Sequence, residues 1–142
     1  MFQIDNSLDT VRDEILAWPG VMAHAHNYGG TEFRHGTAQI GHIHEGGAVH
    51  IPFTRAIHDE LLARGLASEH AWSPLSGWTS FQIRSEKDAE HAVWLMRLSY
   101  LRYALKGAKD AGEKLDRAAD EMSLTLPMKA FLSSAAGLRS AS

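Results

Sequence analysis

The chain reads as an α+β domain in two layers: an antiparallel sheet of five or six strands with helices on one face, followed by a helical C-terminal tail. Three observations predict this. Residues 21 to 53 form a series of short strand-like segments broken by glycine. Segments with helical apolar spacing flank that stretch on both sides. The links between the strand-like segments are of hairpin length, whereas parallel strands need crossovers of a dozen residues or more.

Taken in order, Asn6-Ser7 offers an N-cap, and Leu8, Val11 and Ile15 recur at helical spacing until Trp18-Pro19-Gly20 stops the run. A first helix over about 7–18 follows. Val21 to Asn27, Thr31 to His35, Ala38 to His44 and Val49 to Phe53 are then four strands, separated by Tyr28-Gly29-Gly30, Gly36 and Gly46-Gly47. Thr54 caps a second helix over 55–64, in which Ile57, Leu61 and Leu62 share a face and Gly65 is a suitable residue just past the end. Leu66 to Ala71 reads as a short strand, residues 73–77 as a loop, and Trp78 to Ile83 as a further strand by its aromatic and β-branched content. Ser85 with Asp88 approximates a capping box ahead of a stretch, Glu86 to Lys106, that has neither Gly nor Pro. This long third helix carries Ala89, Val93, Met96, Tyr100 and Tyr103 as its apolar stripe. After Gly107 the composition shifts to Ala, Lys, Asp and Glu, and two short helices are expected, which either fold back over the sheet or dock on a partner subunit. The division is therefore an α+β core over 1–106 and a helical extension over 107–142.

Composition excludes several classes of function. The 142 residues, 44% hydrophobic, suit one conventional core, and the absence of cysteine removes disulfides, thiolate metal sites and a cysteine nucleophile. The net charge of −3, with no Lys/Arg run to track phosphates, argues against nucleic acid as a partner. The most apolar region, His91 to Leu105, carries Arg97 and Arg102 and is too short to span a bilayer. The N-terminal residues show no secretory pattern, so the expected location is the cytoplasm. Ser76-Gly77-Trp78 lacks the glycine before the serine that a nucleophile elbow needs, and the diglycines precede extended segments, not the helices of a phosphate-binding loop.

What remains is histidine. His42, His44 and His50 fall within nine residues around Gly46-Gly47, and His70 follows twenty residues later. On a strand, His42 and His44 point the same way with Cα atoms about 6.6 Å apart. Whether His50 joins them depends on the hairpin. A two-residue turn at Gly46-Gly47 puts His50 across from Ile43 on the opposite face, and a three-residue loop over 46–48 pairs it with His44 on the same face. His42, His44 and His50 are thus the candidate set for a divalent metal, and with His70 and Trp72 they are the candidate lining of a small-ligand pocket. Glu32, Glu45 and Glu69 are the nearest carboxylates, with ordinary solvated charge as the competing reading of each. His24 and His26 form a second pair on the first strand and His35 lies on the second; they widen the cluster if these strands neighbour the third, but are read as side chains of a solvated face. His58 and His91 sit on helices among charged residues and receive no role. Trp78 and Trp94 read as core residues.

The succession Pro19-Gly20-Val21, Tyr28-Gly29-Gly30-Thr31-Glu32-Phe33-Arg34, Gly41-His42-Ile43-His44, Ile51-Pro52-Phe53, Glu69-His70, Ser76-Gly77-Trp78 and Leu98-Ser99-Tyr100 resembles the luciferase-domain family of bacterial and fungal proteins, over about residues 15–103. The resemblance implies that residues matching His42, His44 and His70 are shared, with His or Asp at the position of His50. The layout is also similar to the YjbR/MmcQ-like α+β fold. The expected function is a histidine-lined small-ligand or metal-binding domain, with metal-assisted or histidine-dependent enzymatic chemistry as its extension. The alternative is a non-catalytic module that forms a homodimer through helix 86–106 and the C-terminal tail. Ring nitrogens of three histidines around one point favour the former, and rings splayed over different faces the latter.

Overall fold

The computed structural model describes residues 1–26, 29–71 and 76–138. Its elements are α1 (Ile4–Leu16), β1 (Val21–His26), β2 (Gly30–His35), β3 (Ala38–Ile43), β4 (Ala48–Pro52), α2 (Arg55–Ala63), β5 (Ser68–Glu69), β6 (Trp78–Gln82), α3 (Glu86–Ala104), α4 (Ala111–Met122) and α5 (Leu126–Ala135). Six strands form one sheet in the order β1-β2-β3-β4-β6-β5, with every neighbouring pair antiparallel. The two-layer α+β architecture is the one the sequence predicts.

Register decides which residues meet. Except beyond a bulge between Phe33 and Arg34, where Arg34 pairs with Gln39 and His35 with Ala38, the strand pairings match even-numbered residues with even and odd with odd: His24 with Glu32, Glu32 with His42, His42 with His50, His50 with Ser80, Ser80 with Ser68. Since alternate residues of a strand share a face, odd positions from all these strands fall on one side of the sheet. Phe33, Ile43, Val49, Ile51 and Ile83 on that side are buried against α1 and α3. At Gly41 the Met96 side chain of α3 occupies the space of a side chain, its sulfur 2.6 Å from where a Cβ would stand. Even positions form the opposite face.

Three elements depart from the sequence reading. The first helix begins one turn early, at Ile4, and Gln3 at its start makes no side-chain cap. Ser7 lies inside the helix, its hydroxyl donating to Glu86 Oε1 at 2.8 Å, and the packing of Ile4 against the core extends the apolar stripe backwards. The expected strand over 66–71 shrinks to Ser68–Glu69, because Leu66 packs into the core and its carbonyl accepts a hydrogen bond from His91 Nε2 at 2.7 Å. Helix α3 is buried on nearly all sides, not along one stripe, since it lies between the sheet and the tail.

The tail folds back on its own chain. Leu115, Ala118, Met122, Met128, Leu132 and Ala136 belong to the same apolar cluster as the core, and α5 packs on α2 and α3, so the tail covers the helical layer and not the sheet. Thr125 caps α5 by accepting from Met128 N at 3.2 Å, and Trp94 Nε1 on α3 donates to Met122 O at 3.0 Å. No helix among the described residues is long and apolar enough to cross a membrane.

Candidate metal centre

The hairpin between β3 and β4 resolves the open question of register in a third way. His42 pairs with His50 and Ile43 with Val49, and His44 N donates to Ala48 O at 2.9 Å, so the loop is Glu45-Gly46-Gly47. It has three residues, but it begins one residue earlier than the 46–48 loop, so His50 stands across from His42 and not His44. Gly47 explains the placement. Its φ of +91° ends the loop in a conformation that other residues adopt at a cost, and a Cβ there would lie 2.9 Å from Ile4 Cδ1 and 3.2 Å from Ile83 O. Gln82 Nε2 donates to Gly46 O and Ile83 N to Gly47 O, which anchors the loop to the next strand.

With that register, His42, His44 and His50 share the even face, each ring centroid 5.0 Å from the other two. His70, which continues the β5 pairing through its N–H to Trp78 O, brings its ring to 4.3 Å from His50. These four histidines of the sequence analysis are therefore brought together. Trp72, the fifth residue expected in the pocket, lies outside the described residues. Trp78, read as core, instead sits half-buried on this face with its ring 5.5 Å from His42.

Sequence reasoning prefers the solvated face for His26 over a place in the cluster. His26 is half-buried, not solvated: its ring stacks on that of His42 at 4.0 Å and meets His44 edge-on at 5.6 Å. His24, two residues earlier, is exposed as expected, and His35 packs on Tyr100 on the other side of the sheet. Gly30 makes the convergence possible. It stands opposite His26, buried, and a Cβ on it would lie 3.4 Å from both His26 Cβ and His44 Nδ1 and 3.1 Å from Ile43 O. Among the described residues, the group with metal-ligand spacing is His26, His42 and His44, which offer ligand atoms all within 4.8 Å of one another. His50 is engaged elsewhere, its Nδ1 3.1 Å from His42 Nε2.

The hydrogen bonds orient these rings. His26 Nδ1 donates to Glu32 Oε1 at 3.3 Å, which leaves Nε2 as the ring's lone pair, and Arg34 Nε donates to the other oxygen of Glu32. Burial alone would raise the Glu32 carboxyl, but Arg34 and His26 outweigh it and hold it below the ordinary range. His42 Nδ1 is buried with no hydrogen-bond partner. In the tautomer that leaves that atom a lone pair, His42 Nε2–H donates to His50 Nδ1. Carboxylate or imidazole acceptors behind ligand histidines are the usual means of fixing a ring's tautomer at a metal.

Burial, reinforced by the neighbouring imidazoles His26, His50 and His44, pushes His42 down to about 3 despite the opposing pull of Glu32. Burial and then His70, His44 and His26 take His50 to about 4, and burial with His26 and His70 lowers His44. All three rings are therefore neutral near pH 7, the state in which imidazole binds metal. Below the sheet edge, buried His58 on α2 donates through Nδ1 to Asp59 at 2.8 Å and places Nε2 3.6 Å from Glu69 Oε1, next to His70.

The family model for the luciferase domain matches residues 37–99, from β3 through most of α3. Over that stretch the chain is similar to the luciferase-domain family. The luciferase-domain segment supplies His42, His44, His50, His70 and Trp78, while His26, Gly30 and Glu32 come from the hairpin before it. No curated protein and no solved structure matches the chain.

Proposed function

We propose that the protein binds one divalent transition metal ion through His26, His42 and His44, with His50, His70 and Trp78 lining the side on which a small ligand reaches it. The observation that carries this reading is the spacing of His26, His42 and His44, whose ligand atoms all lie within 4.8 Å of one another, beside a buried His42 Nδ1 that has no partner. A buried polar atom without a partner costs roughly 1–3 kcal/mol, and a metal bond would remove that cost. A set of neutral nitrogen donors without thiolate or a carboxylate ligand suits zinc and its neighbours and not magnesium or calcium. Three protein ligands leave a position for water, and a metal of this class would supply Lewis acidity and a water acidified to near neutrality. The chain's own part is to hold three lone pairs toward one point, to fix the His26 tautomer through Glu32 and that of His42 through His50, and to place His70 beside the site to take a proton from a bound water or substrate.

The test uses full-length protein purified without an affinity tag and stripped with a chelator, titrated with Zn²⁺ by calorimetry and with Co²⁺ by visible absorption. One equivalent should bind, His42→Ala should abolish binding, and Gly30→Val, which fills the gap between His26 and His44, should weaken it at least about tenfold. Glu32→Gln should weaken it less than His42→Ala. Absence of uptake by the unmodified protein, or uptake that His42→Ala leaves intact, overturns the reading.

A further inference from the structure

On the helical side, remote from the histidine face, a cavity of about 640 Å³ opens between α3, α4 and the turn after α1. Its volume lies within the range of small-molecule sites. One wall is aromatic: the Trp18 and Tyr100 rings lie 5.2 Å apart, and the Tyr100 hydroxyl is spent on Pro19 O at 2.8 Å, so that residue presents its ring and not a polar tip. The other wall is basic. Lys114, Arg117 and Glu121 follow one another at three- and four-residue spacing along α4, so all three project from one face of that helix toward the cavity, and Arg97 projects from α3.

The charges do not cancel. Arg97 Nη2 bonds Glu121 Oε2 at 2.8 Å, which neutralises the single acid of the lining. No ion pair to Lys114 or Arg117 occurs among the described residues. A chain of net charge −3 therefore carries two uncompensated cations at the mouth of an aromatic-walled cavity. Local charge opposed to the overall sign selects an anion, and an arginine beside a lysine suits a carboxylate, which the guanidinium engages through two parallel N–H bonds. An aromatic wall suits a flat apolar body.

We propose that this cavity binds a small aromatic carboxylate, its ring system against Trp18 and Tyr100 and its carboxylate on Arg117 and Lys114. The site is independent of the metal centre: none of its lining residues belongs to the even face of the sheet.

The test is a ¹H–¹⁵N NMR titration of the chelator-treated full chain with 2-naphthoate, and in parallel with its neutral counterpart 2-naphthamide. Saturable shifts are expected at the Trp18 indole N–H and along α4, with the amide at least about tenfold weaker. The double variant Lys114→Glu with Arg117→Glu should lose naphthoate binding by a similar factor, and Arg117→Gln, a mild change at an exposed position, should weaken it in the same direction. Equal binding of naphthoate and naphthamide, indifference to Arg117→Gln, shifts centred on His42 and His44, or no saturable shift at any soluble concentration would each overturn the proposal.

Discussion

A histidine that must stay neutral in the folded state makes stability depend on pH with a definite sign. His42 titrates near its ordinary value of 6.5 in the unfolded chain but only at about 3 when folded, because burial and the adjacent imidazoles oppose its charge. Between those values the unfolded state binds a proton that the folded state refuses. The contribution of His42 is therefore complete above pH 6.5 and declines as pH falls toward 3, at up to about 1.4 kcal/mol per pH unit for a fully excluded proton. His50, folded pKa about 4, acts in the same direction. Urea unfolding of the metal-free protein at intervals from pH 7.5 to 4.5 should show this decline, and His42→Leu should flatten it. Equal slopes for the variant and the unmodified protein would show that proton exclusion at His42 is not the cause.

At the scale of elements, the place of His50 behind His42 depends on a single turn. His50 joins His42 and His44 on one face because the β3–β4 loop has an odd number of residues, and Gly47, with φ of +91° and three neighbours within 3.2 Å of a notional Cβ, ends it at the third. Gly47→Ala should cost about 1 to 3 kcal/mol in backbone strain, measured by chemical denaturation, and lower metal uptake by shifting His50 away from His42. Unchanged stability and uptake would mean that the register is held elsewhere, by the Gln82 and Ile83 hydrogen bonds to the loop. The same turn marks how far sequence reasoning reaches. Alternation along β3 places His42 and His44 on one face, and an odd-numbered loop is the condition for His50 to join them. The loop's starting residue was not legible, because Ile4 and Ile83, which crowd Gly47, are distant in sequence. His26 was illegible for a related reason: its approach to His44 passes through two registers, β1 on β2 and β2 on β3, and through the missing side chain of Gly30. Propensity and spacing located nearly all the helices and strands, and failed at Leu66, where a hydrogen bond from His91 on α3 replaces strand pairing.

At the scale of the whole molecule, the open question was what the segment after Gly107 does. Its composition, rich in Ala, Lys, Asp and Glu, fits equally a helix pair that folds back over the sheet and one that docks on a partner subunit. In the structure its large apolar groups are used within the chain: Leu132 is fully buried, and Met122, Met128 and Ala136 are nearly so, in the cluster that also holds Leu95, Leu98 and Leu61. A segment integrated in this way should unfold together with the sheet, as one cooperative unit. Leu132→Ala leaves a cavity at a site far from the histidines and should destabilise the protein by about 2 to 5 kcal/mol while preserving metal affinity in the fraction that remains folded. The check is to follow unfolding simultaneously by far-ultraviolet circular dichroism and by tryptophan fluorescence. Coincident transitions, shifted together by the substitution, are expected. A biphasic curve in which Leu132→Ala moves only one phase would instead make the tail a separate unit, with its apolar face available to a second copy of the chain.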